Sequence, residues 1–114
     1  MSYDIVLSQT FKNSVKKMQK RFLRVKDDVK SAIGVLKENP QSGDLISGGH
    51  GIRKLRIKNT YLDKGKSGGY RLIYCFEDKP VKRIYMLFLY AKSDKDDVTK
   101  KELTDLLDEL SKIH

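Results

Sequence analysis

In a chain of 114 residues, 39% hydrophobic with its apolar residues in periodic blocks, aliphatic and aromatic side chains suffice to offset the entropy of ordering, which excludes disorder despite a charged fraction of 34%. A formal net charge of +9 points to polyanionic partners such as nucleic acid or an acidic protein, and a single cysteine, Cys75, excludes an internal disulfide. No apolar run approaches the roughly 20 residues of a membrane-spanning helix, and no leader pattern is present, so the expectation is one domain over 1–114 in a cytoplasmic setting, away from membranes.

Tyr3 to Leu7 mixes aromatic and β-branched residues as a short strand, and Ser8 or Thr10 can cap the helix that follows. Phe11, Val15 and Met18 stand at helical spacing, with Lys12, Lys16, Lys17 and Lys20 on the other faces. A second helical repeat passes through Phe22, Val25, Val29, Ala32, Ile33 and Leu36 until Asn39, Pro40 and Gly43 stop it, giving a helical hairpin. A glycine-rich loop over 40–51 leads to three antiparallel strands at Ile52 to Ile57, Tyr70 to Phe76 and Arg83 to Ala91. Thr99 and Glu102 have the spacing of a capping box ahead of a last helix, Lys100 to Ile113, whose stripe is Leu103, Leu106, Leu107, Leu110 and Ile113. The order βααβββα predicts an α+β fold: a small antiparallel sheet with the hairpin on one face, the other face partly open, and the last helix packing on that open side.

The charge is concentrated. From Arg53 to Phe76 seven basic residues (Arg53, Lys54, Arg56, Lys58, Lys64, Lys66 and Arg71) stand against one acid, Asp63, whereas residues 93–114 carry four lysines against seven acids. Because side chains alternate along a strand, Lys54, Arg56 and Lys58 are expected in a row on the open face while Leu55 and Ile57 turn to the helices. Such a row with Tyr61, Tyr70, Tyr74, Tyr85 and Tyr90 nearby suits phosphate contact and base stacking, hence RNA. Tyr70, Tyr74 and Phe76 at alternate positions also fit cross-strand packing, and they fit it better. Cys75 fits a buried small hydrophobe better than a nucleophile.

No metal-ligand spacing is present and no cofactor is expected; the two histidines, His50 and His114, lie in the glycine-rich loop and at the end of the sequence. Gly65, Gly68 and Gly69 with Lys64 and Lys66 lack phosphate-loop spacing and read as a hairpin connection, whose two lysines can together embrace a backbone phosphate. Cutting RNA without a metal requires removing the 2′-OH proton, stabilising charge at phosphorus and protonating the 5′-oxygen. A lysine crowded by cations has its charged form disfavoured, and arginine stays charged, which assigns Lys54 as base and Arg71 as stabiliser.

Three segments, GIRKLRIK at Gly51 to Lys58, KGKSGGYRLIYCF at Lys64 to Phe76 and YMLFLYAKSDKDDVTKKEL at Tyr85 to Leu103, together with the element order, resemble the RelE/ParE toxin superfamily, in particular its RelE-like and HigB-like mRNA interferases. The resemblance implies a catalytic set of Lys54, Arg56, Arg71 and Lys92, RNA contacts from Arg53, Lys58, Lys64, Lys66, Tyr90 and Lys95, a cognate antitoxin as partner, and mRNA in the ribosomal A site as substrate, cut to a 2′,3′-cyclic phosphate and a 5′-OH. RelE-like enzymes carry an arginine and a tyrosine where this chain has Ser93 and Thr99, so the general acid falls to Lys92, with Lys95 as the other substitute for the arginine. ParE-like relatives act on DNA gyrase instead, and a non-catalytic module that binds RNA or antitoxin through charge alone is the remaining alternative.

Overall fold

The computed structural model describes residues 2–62 and 68–113. The chain runs β1 (Asp4–Leu7), α1 (Gln9–Gln19), α2 (Val25–Glu38), a 3-10 turn (Pro40–Ser42), β2 (Asp44–Leu45), β3 (Arg53–Ile57), β4 (Tyr70–Glu77), β5 (Arg83–Ala91) and α3 (Lys100–Ile113). Ser8 starts α1 by accepting from the Phe11 N–H at 3.0 Å, and the buried Phe22 precedes α2 in the turn between the helices. At the head of α3, Thr99 and Glu102 form the expected capping box: the Thr99 N–H donates to Glu102 at 2.8 Å and the Glu102 N–H to the Thr99 hydroxyl at 3.1 Å.

The sheet has five strands in the order β1-β5-β4-β3-β2. It departs from the expected antiparallel meander in two ways. β1 pairs in parallel with β5, because the helical hairpin carries the chain across one face before the meander begins, and the two-residue β2 adds an outer strand beside β3. Both features escape a periodicity argument, since two residues have no period and a pairing partner nearly eighty positions away leaves no local trace.

Each face of the sheet has its own core. On one, Phe11 and Met18 of α1 and Val25, Val29 and Leu36 of α2 pack on Ile57, Leu72, Tyr74 and Met86. On the other, Leu103 and Leu106 of α3 pack on Ile73, Tyr85, Leu87 and Tyr90, as the leucine stripe predicted. The side expected to be partly open is thus roofed over by α3 along β4 and β5. A bulge between Ile73 and Tyr74 sets Ile73 opposite Phe88 but Tyr74 opposite Met86, so that Leu87 and Phe88 both serve the α3 side before Leu89 returns to the other. At the start of β4 a Cβ on Gly69 would lie 2.0 Å from the Ile57 carbonyl oxygen, so only glycine lets the chain pass this close to β3. The Gly69 carbonyl then accepts from the Lys92 N–H at 2.9 Å, which fixes the exit of β5 beside the entry of β4.

Candidate nucleic-acid interface

The register of three strands assembles the predicted cations. Arg56 of β3 is opposite Arg71 of β4, which is opposite Tyr90 of β5; one row along, Lys54, Ile73 and Phe88 stand in line. Residues directly opposite share a face, so Lys54, Arg56, Arg71 and Tyr90 all lie on the α3 side. Arg56 is exposed, and Arg71 is only 5% exposed, its Nη1 donating to the Tyr70 carbonyl at 3.0 Å. Burial, then the charge of Arg56, holds the Arg71 guanidinium below its ordinary pKa. Lys58 is exposed just beyond the end of β3.

An acidic segment between β5 and α3 covers much of this surface. Lys54 donates to Asp97 at 3.0 Å, and the Val98 N–H reaches the same oxygen at 2.8 Å. Lys92 donates to the Asp96 carbonyl at 3.1 Å and lies 3.4 Å from its carboxylate, while Arg21, from the α1–α2 turn, meets Asp94 at 2.6 Å. Lys95 pairs with Glu102 and sits 5.5 Å above the ring of Phe88 and 5.6 Å above that of Tyr90. Burial pushes against the charge of Asp97, but the hydrogen bonds from Lys54 and Val98 and the charges of Lys54 and Lys92 outweigh it, and its pKa falls below the usual carboxylate range. Glu102 is lowered in the same way by Lys95 and Thr99 against its own burial. Partly exposed pairs of this kind are worth about 0.2–1 kcal/mol each, so the segment is held by many weak contacts.

Tyr90, expected to stack a base, is buried beneath this segment with Val98 and Leu103, at 3% exposure, and its hydroxyl has no hydrogen-bond partner among the described residues. Burial, followed by the charge of Asp97, pushes its pKa up to about 12. Tyr70, Tyr74 and Tyr85 are core residues, the packing reading of the strand pattern.

A family profile described as the RelE toxin of the RelE / RelB toxin-antitoxin system matches residues 8–113. The chain belongs to the RelE toxin family. Among solved structures, a double arginine-to-alanine variant of the E. coli toxin RelE in the free state is similar in fold, with a TM-score of 0.57 at 18% identity, covering 98% of this chain and 97% of that one. Membership makes this RelE toxin one half of a toxin–antitoxin pair, with an antitoxin as its partner.

Not every predicted residue joins the row of this RelE toxin. Arg53, one position before Lys54, is turned to the helical-hairpin side, where its Nη1 donates to the Gly43 carbonyl at 2.7 Å and its guanidinium lies 5.7 Å above the Phe76 ring. Lys64 and Lys66 lie outside the described residues. Ser93 is exposed, and Thr99 is committed to capping α3. His50 is exposed in its loop with a φ of 53°, and no group of three or more His, Cys, Asp and Glu among the described residues is placed to hold a metal ion. No helix among the described residues is long and apolar enough to cross a membrane. What the sequence reading missed is the role of Asp94, Asp96, Asp97 and Glu102; the acidic surplus after residue 93 was the signal, and it marks where the cations find their partners.

Proposed function

We propose that this toxin is a metal-independent endoribonuclease that cuts mRNA engaged in translation, with Lys54, Arg56, Arg71 and Lys92 as its catalytic set. The observation that carries the reading is the single row of Arg56, Arg71 and Tyr90 in register on one sheet face, with Lys54 two residues along the same strand. A phosphodiester laid along β3 and β4 would meet two guanidinium groups and an amine within one patch.

The reaction asks little else of the protein. Lys54 takes the proton of the 2′-OH as that oxygen forms a bond to phosphorus; Arg71 and Arg56 receive the charge that develops on the phosphoryl oxygens; the P–O5′ bond breaks, and Lys92 gives a proton to the departing 5′-oxygen. The products are a 2′,3′-cyclic phosphate and a 5′-OH, and no metal is required. Arg71, held in a water-poor site with lowered pKa yet still a guanidinium, is suited to the stabilising role, since a fixed charge acts more strongly there than in water. Lys58, Lys64, Lys66 and Lys95 serve to hold the flanking RNA.

The deciding experiment maps the 5′ ends of a translated message after induction of the toxin. New 5′-OH ends within the coding region are expected for the wild type, with loss of about 10²–10³-fold for Arg71→Ala and a comparable loss for Lys54→Ala. Growth arrest with intact messages and blocked DNA supercoiling would assign the chain to gyrase, and equal modest losses of RNA affinity in both variants without any cleavage would leave only a binding module.

A further inference from the structure

We propose that the segment from Asp94 to Glu102 is a built-in competitor for the phosphate chain: its carboxylates occupy the seats that RNA phosphates take, and it must lift from the sheet before the site can load. The proposal rests on the ribonuclease reading for the identity of the displacing polyanion.

Three observations converge. First, the acids of this one segment pair with Lys54 and Lys92, two of the four residues assigned to catalysis, and with Arg21 of the α1–α2 turn. The Asp97 carboxylate accepts from the Lys54 amine at 3.0 Å, the donor that a phosphate oxygen at the same place would use. Second, the Tyr90 hydroxyl is buried under the segment with no hydrogen-bond partner among the described residues, in register with Arg71. A buried hydroxyl left unpaired is uncommon in folded proteins, and a phosphate oxygen arriving beside Arg71 would give it one. Third, the segment is lightly held. Residues 92–99 form neither helix nor strand, and the Asp97 side chain is 58% exposed, so its grip is a set of screened ion pairs and not a packed core. Val98 is its half-buried apolar anchor, against the cluster that contains Tyr90.

The competitor would keep the free toxin from binding RNA at random and yield only to a dense array of phosphates. Intramolecular carboxylates are present at high effective concentration, so isolated anions displace them poorly, whereas a polynucleotide offers several phosphates to Lys54, Arg56 and Lys92 together.

The test uses a short fluorescein-labelled single-stranded RNA, 2′-O-methylated throughout so that it cannot be cut, titrated by anisotropy with the full chain. Asp97→Asn removes the central contact; Asp108→Asn makes the same charge change on an exposed position of α3 and serves as the control. Asp97→Asn is expected to bind about threefold more tightly than Asp108→Asn, the equilibrium value of one partly exposed ion pair. Hydrogen exchange of the wild type should show amides 95–99 opening when RNA is added. Equal affinity of the two variants, or no change in exchange on RNA addition, overturns the competitor and leaves the ribonuclease reading standing. Tighter binding by Asp97→Asn with no message cut in the separate end-mapping experiment keeps the competitor and sinks the nuclease. Absence of RNA binding by every variant overturns the competitor, and the end mapping alone then judges the nuclease.

Discussion

Arg56 and Arg71 face each other across the β3–β4 ladder, two like charges in direct register, one exposed and the other buried. Cross-strand pairs contribute roughly 0.2–1 kcal/mol, and like charges placed opposite each other act against the fold. Burial lowers the pKa of Arg71, and the repulsion from Arg56 lowers it further. Arg56→Gln should therefore raise the free energy of unfolding by about 0.5 kcal/mol, measured by urea denaturation, while lowering cleavage of RNA. Stability that falls instead would show that the two guanidinium groups are not working against one another.

How much of this arrangement can be read from the sequence depends on whether it is local. The placement of Lys54, Arg56 and Arg71 on one face follows from the period of a strand, and the boundaries of α3 follow from Thr99, Glu102 and a leucine stripe, all within a few residues of each other. The same alternation turns Arg53, which the family resemblance implies as an RNA contact, to the opposite face. The Lys54–Asp97 contact joins residues 43 positions apart, and the parallel pairing of β1 with β5 sets Asp4 against Arg83. Neither leaves a periodic trace. The tyrosines illustrate the remaining ambiguity: strand alternation marks which face each occupies, but only the presence of α3 decides that Tyr90 is covered.

Tyr74 ties the sheet to the turn that introduces β2. Its buried hydroxyl donates to the Pro40 carbonyl at 2.6 Å and accepts from the Gly43 N–H at 2.9 Å, and this turn leads into Asp44, which stands opposite Lys54. Removing the hydroxyl leaves two backbone groups without that partner in a buried place. Tyr74→Phe should cost about 1–3 kcal/mol in unfolding free energy, measured by chemical denaturation, with no loss of α2 helicity. A change below a few tenths of a kcal/mol would mean that water replaces the phenol freely.

Cys75 lies on the α3 side of β4, and burial, followed by the charge of Glu77, pushes its thiol up to about 12. The reactive species is the thiolate, so at pH 8 the folded protein should react with a disulfide reagent at least ~100-fold more slowly than the unfolded chain. Cys75→Ala should cut RNA as the wild type does. Rapid labelling with concurrent loss of cleavage would restore the thiol as a candidate participant.

Asp97 and Glu102 give the cover over the cation row a pH dependence whose sign is fixed by their titration. Both carboxyls are lowered in the folded protein from ordinary values of 3.8 and 4.5, so the folded state holds fewer protons than the unfolded chain through that range. Their contribution to stability is complete above the ordinary values and is lost as the pH falls through the lowered ones. The segment should therefore stay seated from neutrality down to about pH 4.5 and loosen progressively below about pH 4, before α1 and α2 respond. Amide exchange or limited proteolysis with an acid-active protease across that interval would follow the release. In Asp97→Asn the part of the transition that belongs to Lys54 should disappear, leaving the shallower step of Glu102 and Lys95. A segment that instead loosened as the pH rose toward 7 would show that its hold on the sheet does not depend on these two carboxylates.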